Sequence, residues 1–218
     1  MSYTGEVTVG GPADERSLPG LTLRKVSVGP MDNNCYLLRC AATGEQLLID
    51  AANDASTLLD LVGDAGLATV VTTHQHWDHV QALAPVASAT GATTVATAAD
   101  AAAIEVPTTR LVEDGDEIRV GEVPLRIITL VGHTPGSLAV LYAPDGEAPH
   151  LFTGDSLFPG GPGNTQGDAD RFTSLMDDLE RKVFGPLPDE TWVYPGHGKD
   201  TTLGAERPHL GDWRARGW

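Results

Sequence analysis

The chain has 218 residues, of which 41% are hydrophobic and 20% charged, and this size and composition fit one domain with its own apolar core. The formal net charge is −16. A protein this acidic repels nucleic-acid phosphates and anionic membranes, so we expect neither as a partner. No stretch approaches the roughly 18 apolar residues that span a bilayer, and the first residues lack the basic and apolar regions of a signal peptide.

The two cysteines, Cys35 and Cys40, fall in a stretch that is typical of a strand. Residues five apart in a strand point to opposite faces of the sheet, so a disulfide between these two is not expected. Unpaired thiols favour a reducing compartment. We therefore predict a cytoplasmic protein.

The first half of the chain predicts an arm followed by alternating strands and helices. Residues 1–20 are polar and rich in glycine and proline, which predicts a loosely held N-terminal arm before a single domain over residues 21–218. Apolar and β-branched runs predict strands, and apolar residues three and four apart predict helices. In chain order the expected elements are strands Leu21–Val28, Cys35–Arg39 and Gln46–Ile49, helix Asp54–Ala65, strand Leu67–Thr73, and helix Val80–Thr90, which Pro85 would kink or restart.

The second half of the chain repeats this alternation. Many strands with interspersed helices predict an α+β fold with two sheets inside and helices outside. The expected elements are strand Thr93–Ala96, helix Ala98–Ile104, strands Glu117–Val120, Leu125–Leu130, Leu138–Tyr142 and Leu151–Thr153, helix Phe172–Val183, strand Thr191–Tyr194, and a tail over Leu203–Trp218 with a short helix.

Histidines and aspartates follow four of the predicted strands, at the point where each strand ends. Because functional sites are commonly assembled from loops at the end of a sheet, we expect these side chains to converge on one site. Glycine or proline flanks three of the four loops, which permits tight turns and close approach of the backbone to a bound group. The residues concerned are His74, His76, Asp78, His79, His133, Asp155 and His197.

Imidazole and carboxylate ligands suit zinc, and also iron or manganese. Four such side chains within residues 74–79 can serve two neighbouring ions, and a carboxylate such as Asp155 can bridge them because its oxygens offer several lone pairs. Two metals about 3.5–4 Å apart hold a water between them, lower its pKa and polarise a carbonyl or phosphoryl oxygen. We therefore predict two divalent metal ions, with zinc the first expectation, and a hydrolytic activity. His150 and His209 lie outside the pattern and are not predicted to be ligands.

Four segments of the chain resemble, in order and spacing, the motifs of the metallo-β-lactamase superfamily, and most of all those of its glyoxalase II-like branch. The resemblance covers residues 21–205 and implies a four-layer αβ/βα sandwich with the site at one edge between the two sheets. The segments are Thr73-His74-Gln75-His76-Trp77-Asp78-His79, Gly132-His133-Thr134-Pro135-Gly136-Ser137, Thr153-Gly154-Asp155-Ser156-Leu157-Phe158 and Tyr194-Pro195-Gly196-His197-Gly198.

The resemblance also implies an activity. In this branch, a hydroxide held between two metals attacks the acyl carbon of a thioester of a small thiol, of which S-lactoylglutathione is the typical example. With that hydroxide, Asp78 and Asp155 are the side chains expected to take part in catalysis. By the same resemblance, one metal would take His74, His76 and His133, the other would take Asp78, His79 and His197, and Asp155 would bridge them.

Two departures from the branch affect the expected thiol. Glyoxalase II enzymes carry a lysine in the loop after the bridging aspartate, where this sequence has Gly163-Asn164-Thr165, and they continue into a helical region beyond the position of Trp218. The expected partner is therefore a small-molecule acyl thiol that need not be a glutathione thioester. Arg171 and Lys199 are either contacts for an anionic group of the substrate or solvated charges. The loop Phe158–Asp168 is predicted to form a wall of the substrate cleft.

Two other functions stay open at this point. One is an oxidoreductase resembling the persulfide dioxygenases, which share most of these motifs but use a single iron held by two histidines and one aspartate. The arginine that those enzymes place in the glycine-rich loop is Asn164 here, which argues against that function. The other is a metal-binding module that has lost turnover, because a fold does not imply a function. Such modules usually lack one or more ligands, and none is missing here.

Overall fold

Two mixed β-sheets lie at the centre of the computed structural model, which describes residues 3–217. The first two residues of the predicted arm and Trp218 of the predicted tail lie outside the described residues. The first sheet contains seven strands in chain order, with β4 to β7 parallel. Its strands are β1 (Asp14–Leu18), β2 (Leu21–Val28), β3 (Asn33–Cys40), β4 (Gln46–Ile49), β5 (Thr69–Val71), β6 (Thr93–Thr97) and β7 (Arg110–Val112).

The second sheet has six strands in the order β15-β14-β11-β10-β9-β8, and β11 runs parallel to β14. A small hairpin of β12 and β13 follows β11 in the chain. The strands are β8 (Glu117–Val120), β9 (Val123–Thr129), β10 (Leu138–Tyr142), β11 (His150–Gly154), β12 (Leu157–Phe158), β13 (Gly161–Pro162), β14 (Trp192–Pro195) and β15 (Thr201–Thr202).

Helices cover the outer face of each sheet. Helix α4 continues without a break into a π-helical turn over Leu179–Phe184, and 3₁₀ turns lie at Gly63–Ala65, Trp77–His79 and Arg207–His209. The helices are α1 (Ala55–Val62), α2 (Leu83–Thr90), α3 (Ala98–Ala101), α4 (Ala169–Asp178), α5 (Leu203–Glu206) and α6 (Leu210–Arg216). Among residues 3–217 no helix is long and apolar enough to cross a membrane.

Three apolar clusters give the fold its four layers. Successive side chains of a strand point to opposite faces, and in β3 Tyr36 and Leu38 join the cluster between the sheets, whereas Leu37 packs against the helices outside. In the second sheet Phe152 faces inward and Leu151 faces α4. The predicted αβ/βα sandwich is therefore confirmed.

The two cysteines follow the same alternation. Cys35 lies in the outer cluster and Cys40 in the cluster between the sheets, and both are free thiols. The prediction that no disulfide joins them is confirmed.

The arm predicted over residues 1–20 contains strand β1 (Asp14–Leu18), so the prediction of a loose segment is wrong for this part of it. Strand β1 pairs along its whole length with β2 through the turn at Pro19-Gly20, where Gly20 has a φ of 71°. Tyr3 donates a hydrogen bond to Asp200 over 2.7 Å, and its ring lies edge-on to Trp192. The glycine and proline that suggested a mobile segment instead form a tight turn, which requires those residues.

Two helices differ from the sequence-based prediction. Helix α2 begins at Leu83 rather than Val80, which places Pro85 in the first turn, where its missing N–H costs no helical hydrogen bond. The helix predicted over Ala98–Ile104 ends after a single turn at Ala101. Strand β7, which follows it, was not predicted, because its three residues are too few to show a pattern.

Hydrogen bonds between loops bring the ends of the two sheets together. The backbone N–H of Leu138 in the second sheet donates to Thr73 at the end of β5 over 2.9 Å. Gly196 donates to Gly154 over 2.8 Å, and Asn34 donates to Gly196 over 2.7 Å. The loop after β5 is thereby fixed to the start of β10, and the loop after β14 is fixed both to the end of β11 and to β3.

His150 is a buried structural histidine at the opposite end of β11. Its ring stacks on Tyr142 with a centroid separation of 6.0 Å, and Nδ1 lies 2.9 Å from the Tyr194 hydroxyl. Burial, helped by the nearby charge of Arg16, lowers its pKa from 6.5 to about 4. Its location agrees with the expectation that it is not a ligand.

This shift predicts a pH-dependent stability. As the pH falls below about 6.5, the unfolded chain binds a proton at His150 while the folded chain does not, so the free energy of unfolding decreases until about pH 4. The contribution of this group is up to about 3 kcal/mol at roughly 1.4 kcal/mol per pKa unit. Urea unfolding between pH 7.5 and 4 should therefore show a smaller decrease for His150→Gln than for the wild type. The exposed-site control His209→Gln should behave as the wild type, and equal pH dependence in all three would contradict this assignment.

Candidate metal centre

All seven predicted ligands converge at the edge where the loops after β5, β9, β11 and β14 meet. Their donor atoms form three groups, and within each group the atoms lie within 4.8 Å of one another. Distances of this size allow one cation to contact every member of a group. The groups are His74, His76 and His133; His74, His79 and Asp155; and Asp78, His79 and His197.

Asp155 lies between the first and third groups. Its Oδ2 is 3.6 Å from Nε2 of His133 and 3.5 Å from Nε2 of His197, and its Oδ1 is 3.4 Å from Nε2 of His79. The carboxylate thus faces donors of both groups at once. This is the position that the resemblance implied for a bridging ligand.

Donor atoms inside the cluster lack hydrogen-bond partners. Nε2 of His133 and Oδ1 of Asp155 are buried and bond to nothing among residues 3–217. Buried polar atoms in native proteins are normally paired. Nε2 of His74 also faces Nδ1 of His76 at 3.1 Å, which brings two ring nitrogens together. A group rich in unshared lone pairs fits a bound cation.

The outer nitrogens of three imidazoles are held by oxygen atoms. Nδ1 of His79 lies 2.9 Å from Oδ2 of Asp50, Nδ1 of His133 lies 2.8 Å from the Asn164 carbonyl, and Nδ1 of His197 lies 2.8 Å from the Met31 carbonyl. Carbonyl and ionised carboxylate oxygens only accept hydrogen bonds, so each Nδ1 must donate. Nε2 of each ring then faces the cluster, the arrangement seen in metal-binding histidines.

Asp50 fixes a fourth imidazole indirectly. Its carboxylate accepts hydrogen bonds from the backbone N–H of Thr73 over 2.7 Å and from the Thr73 hydroxyl over 2.8 Å. Because the hydroxyl hydrogen is used on Asp50, the Thr73 oxygen is left to accept from Nδ1 of His74 at 3.0 Å. Asp50 has a left-handed φ of 58°, which aspartate tolerates better than most residues.

Two further polar side chains orient the loops. Asn33 donates to Oδ2 of Asp78 over 2.9 Å. Asp100 is fully buried and accepts hydrogen bonds from the Gln75 backbone N–H over 2.9 Å and from the Thr134 hydroxyl over 2.6 Å. Asp100 therefore connects the loop after β5 to the loop after β9, which carry the members of the first group.

The cluster holds protons when no cation balances it. Burial lowers the pKa of His74 and of His133, which keeps both rings neutral. Burial alone would also lower the pKa of His79, but the carboxylates of Asp50 and Asp155 raise it to about 10. Burial opposes ionisation of Asp155, yet the nearby imidazoles of His197 and His79 hold the pKa of this carboxyl well below its usual value.

Glycine is required at one point of the cluster. A Cβ atom at Gly196 would overlap Oδ1 of Asp155 and lie 2.8 Å from Cε1 of His79. The side chain of His79 is fully buried, that of Asp155 is only 12% exposed, and both are held by other contacts, so neither can move aside. The missing side chain of Gly196 leaves the space between the donors open.

Comparison with known proteins places this fold and site in a family. The model of the metallo-beta-lactamase superfamily matches residues 28–197, which is more than half of the chain. The chain belongs to the metallo-beta-lactamase superfamily. The four motifs and the four-layer sandwich are therefore family features, as the resemblance implied.

Relatives within this superfamily include hydroxyacylglutathione hydrolases. That of Polaromonas sp. (strain JS666) is 36% identical over 167 residues, which are 74% of this chain and 60% of the relative. The chain thus spans about 60% of the length of such relatives. The similarity confirms the resemblance to the glyoxalase II-like branch.

Two solved structures of superfamily proteins are also similar. ETHE1 from Myxococcus xanthus has a TM-score of 0.77 and 32% identity, covering 88% of this chain and 84% of its own. TTHA1623 in a di-iron-bound form has a TM-score of 0.70 and 33% identity, covering 84% of this chain and 96% of its own.

The two predicted anion contacts are both engaged within the protein. The Arg171 guanidinium donates to the carbonyls of Gly132 and His133. Lys199 forms an exposed ion pair with Glu6 over 2.7 Å. Arg171 therefore supports the loop that carries His133, a predicted ligand. Both cations already have partners within the protein.

The glycine-rich loop and Trp77 both border the cluster. Asn164 of the loop holds His133 through its carbonyl, and the ring of Phe158 lies 6.4 Å from that of His197. Trp77 is 58% exposed, so it lies over the surface rather than under the site. That the loop Phe158–Asp168 forms a wall of a substrate cleft stays a prediction.

Sequence reasoning did not identify Asp50, Asn33 or Asp100. Asp50 follows an apolar strand directly, as the predicted ligands do, so the same criterion could have found it. Asn33 begins a strand and Asp100 lies within a short helix, and nothing in the sequence near either residue indicates a neighbouring ligand.

Substituting Gly196→Ala should close the space between the donors. We expect the variant to fold but to bind less than half of the wild-type metal, because the added methyl overlaps a donor oxygen. Metal analysis after dialysis and thermal unfolding check this. Gly211→Ala is the matched control, since a Cβ at Gly211 meets nothing within 4 Å. Normal metal content in Gly196→Ala would show that the donors rearrange around it.

Substituting Asp50→Asn should weaken metal binding without changing the volume of the side chain. The amide has only one accepting oxygen. It cannot serve both the Thr73 backbone N–H, which donates to Oδ1, and the Thr73 hydroxyl and His79, which donate to Oδ2, so either the loop or the two imidazoles lose their orientation. Substitution of such partners typically lowers metal affinity about 10–100-fold. Competition with a chromophoric chelator measures the affinity, and Asp60→Asn on the exposed face of α1 serves as the control. An unchanged affinity would mean that Asp50 does not orient these imidazoles.

Proposed function

We propose that this protein is a metal-dependent hydrolase that cleaves a thioester of a small thiol. One observation carries the proposal: two three-donor groups meet at the shared carboxylate of Asp155, with the ring nitrogens turned inward by outer hydrogen bonds. That arrangement suits a pair of divalent cations. The names of the hydroxyacylglutathione hydrolase relatives support the thioester as substrate class.

The donor set fits the metals that the family implies. His74, His76 and His133 would hold one ion and Asp78, His79 and His197 the other, with Asp155 shared between them. The unpartnered Nε2 of His133 and Oδ1 of Asp155 support this assignment, because both atoms are buried without any other function. Zinc is the first metal to test. The di-iron form of TTHA1623 makes iron the second, and manganese accepts the same ligands.

When bound, the ions would supply Lewis acidity and lower the pKa of a water molecule towards neutrality. The residues of the chain supply geometry. Asp50 and the Met31 and Asn164 carbonyls keep the imidazoles from rotating, and Asn33 holds Asp78 through one carboxylate oxygen. Preorganised groups of this kind need no rearrangement as the reaction proceeds.

Exposure indicates the side from which a substrate approaches. The side chain of His79 is fully buried and that of His74 is 1% exposed, whereas that of His197 is 24% exposed. His76 is also partly exposed. The cluster is thus closed at its base by the first sheet and open between His76 and His197, where the loop Phe158–Asp168 would contact the substrate.

A second candidate is an oxidoreductase with a single iron. The similarity to the Myxococcus xanthus ETHE1 structure favours it, as does the presence of suitable donors. His74, His133 and Asp155 offer two imidazoles and one carboxylate, with Asp155 Oδ2 at 3.9 Å and 3.6 Å from the two ring nitrogens. The remaining four donor side chains would then have no metal ion to bind, which is why the two-metal hydrolase is preferred.

The proposed partner is a small acyl thiol, and the proposed location is the cytoplasm, which two buried free thiols favour. A protein that binds metal but turns over no substrate is the remaining alternative.

The test combines metal analysis with a panel of S-acyl thiols. We expect about two metals per chain and metal-dependent thioester hydrolysis that a chelator abolishes. Asp155→Ala should lose metal at both positions and reduce kcat/KM by more than about 100-fold, a loss greater than that for outer partners. His197→Ala should lose mainly one metal. Asp145→Ala, in the exposed loop at the opposite end of the second sheet, is the matched control.

The outcomes separate the candidates. One iron per chain with oxygen consumption on a persulfide would establish the oxidoreductase instead. Bound metal without turnover of any thioester or persulfide would establish the non-catalytic module. Equal metal content in the wild type and in Asp155→Ala would contradict the shared position of this carboxylate.

A further inference from the structure

A cavity of about 290 Å³ opens beside the turn that carries the predicted metal ligands. Gln75 and Trp77, which flank His76 in the chain, form one part of its lining. Ile104, Glu105 and Val106, in the loop after α3, form another. The cavity therefore borders the segment that carries four of the predicted ligands, and no residue of the loop Phe158–Asp168 lines it.

Two exposed apolar side chains lie near the predicted ligands. Only four large hydrophobic residues of the described range 3–217 are exposed, and they include Trp77 at 58% and Met31 at 51%. Trp77 lies between two predicted ligands, and the Met31 carbonyl bonds to a third, His197. Exposed apolar surface beside a polar site marks a place where a ligand binds.

The charge of the cavity is negative. Glu105 is the only charged residue of those that line it, and its side chain is exposed. The two candidate anion contacts are directed elsewhere, since Arg171 donates to backbone carbonyls and Lys199 pairs with Glu6. The whole chain has a net charge of −16, which adds to the repulsion of an anion.

We propose that this cavity binds the thiol carrier of the substrate and selects a carrier that is uncharged or cationic over an anionic one such as glutathione. This inference rests on the proposed thioester hydrolysis and specifies its substrate class. The indole of Trp77 packs against the carrier and attracts a positive group above its face, an interaction worth several-fold in affinity at exposed sites. The Glu105 carboxylate attracts the same group and repels a carboxylate.

Three thioesters with the same acetyl group test the proposal on the metal-loaded protein. Acetylthiocholine has a cationic carrier, S-acetyl-N-acetylcysteamine an uncharged one and S-acetylglutathione an anionic one. We expect kcat/KM at low salt to be about tenfold or more higher for the first two than for the third, mainly through KM. The difference should shrink as salt is added, because exposed charges are screened.

The three thioesters also differ in intrinsic reactivity. Comparing the ratio of their kcat/KM values between the wild type and a variant cancels this difference, because the substrates are the same. Glu105→Lys should shift the kcat/KM ratio of acetylthiocholine to S-acetylglutathione by about tenfold towards glutathione, with unchanged metal content. Glu147→Lys makes the same charge change in the loop before β11, at the end of the sheet away from the site, and should leave the ratio unchanged. Trp77→Ala should raise KM about fivefold or more for acetylthiocholine and by less for the uncharged ester, because the indole packs against both carriers but attracts only the cation.

A binding measurement separates this proposal from the proposed function. Calorimetry on the metal-loaded protein with the S-methyl thioethers of thiocholine and glutathione reports affinity without turnover. Preferred binding of the choline thioether that Glu105→Lys abolishes, with no hydrolysis of any thioester, would support the cavity and overturn the hydrolase. Hydrolysis with S-acetylglutathione preferred, or with a ratio that Glu105→Lys does not move, would overturn the cavity proposal and leave the hydrolase standing. No binding and no hydrolysis would overturn both.

Discussion

A buried carboxylate that only accepts hydrogen bonds sets the geometry of the candidate site. Asp50 receives a hydrogen bond from His79 and another from the Thr73 hydroxyl, which in turn accepts from His74. Each bond fixes one nitrogen of an imidazole as a donor and therefore turns the lone pair of the other nitrogen towards the cluster. Without that acceptor, the imidazole rings of His79 and His74 could rotate, and their Nε2 atoms would no longer be held towards the cluster.

The sheets supply the rigidity that this hydrogen-bond chain requires. Asp50 follows β4 and His74 follows the parallel neighbour β5, so the register of two buried strands sets their separation. Asp155 comes from the other sheet, and the bond from Gly196 to Gly154 ties its loop to the loop of β14. A site assembled from several strand ends can be stiff although each contributing loop is short, because the strands are packed on both faces.

The sequence identifies the side chains that could bind metal, but it does not identify all of the residues that hold those side chains by hydrogen bonds. The convergence of the candidate ligands was predictable because His74 to His79, Asp155 and His197 each follow an apolar strand, and a strand end is a local signal. Asn33 and Asp100 act through partners 45 and 25 residues away in the chain, which no local pattern reveals. The arm was misjudged for a similar reason: Pro19-Gly20 permits both a loose segment and a hairpin, and only the pairing partner β2 decides between them.

Charge balance explains how such a cluster can exist inside a folded chain. Three carboxylates, those of Asp50, Asp78 and Asp155, contact His79, and a buried anion without a partner is strongly unfavourable. In the protein without cations, the raised pKa values of His79 and His197 let protons balance part of the charge of these carboxylates. Cations that occupy the same positions must displace those protons, which makes metal affinity increase with pH. The same side chains therefore stabilise the empty fold with protons and the loaded site with metal, and the pH determines which of the two states is favoured.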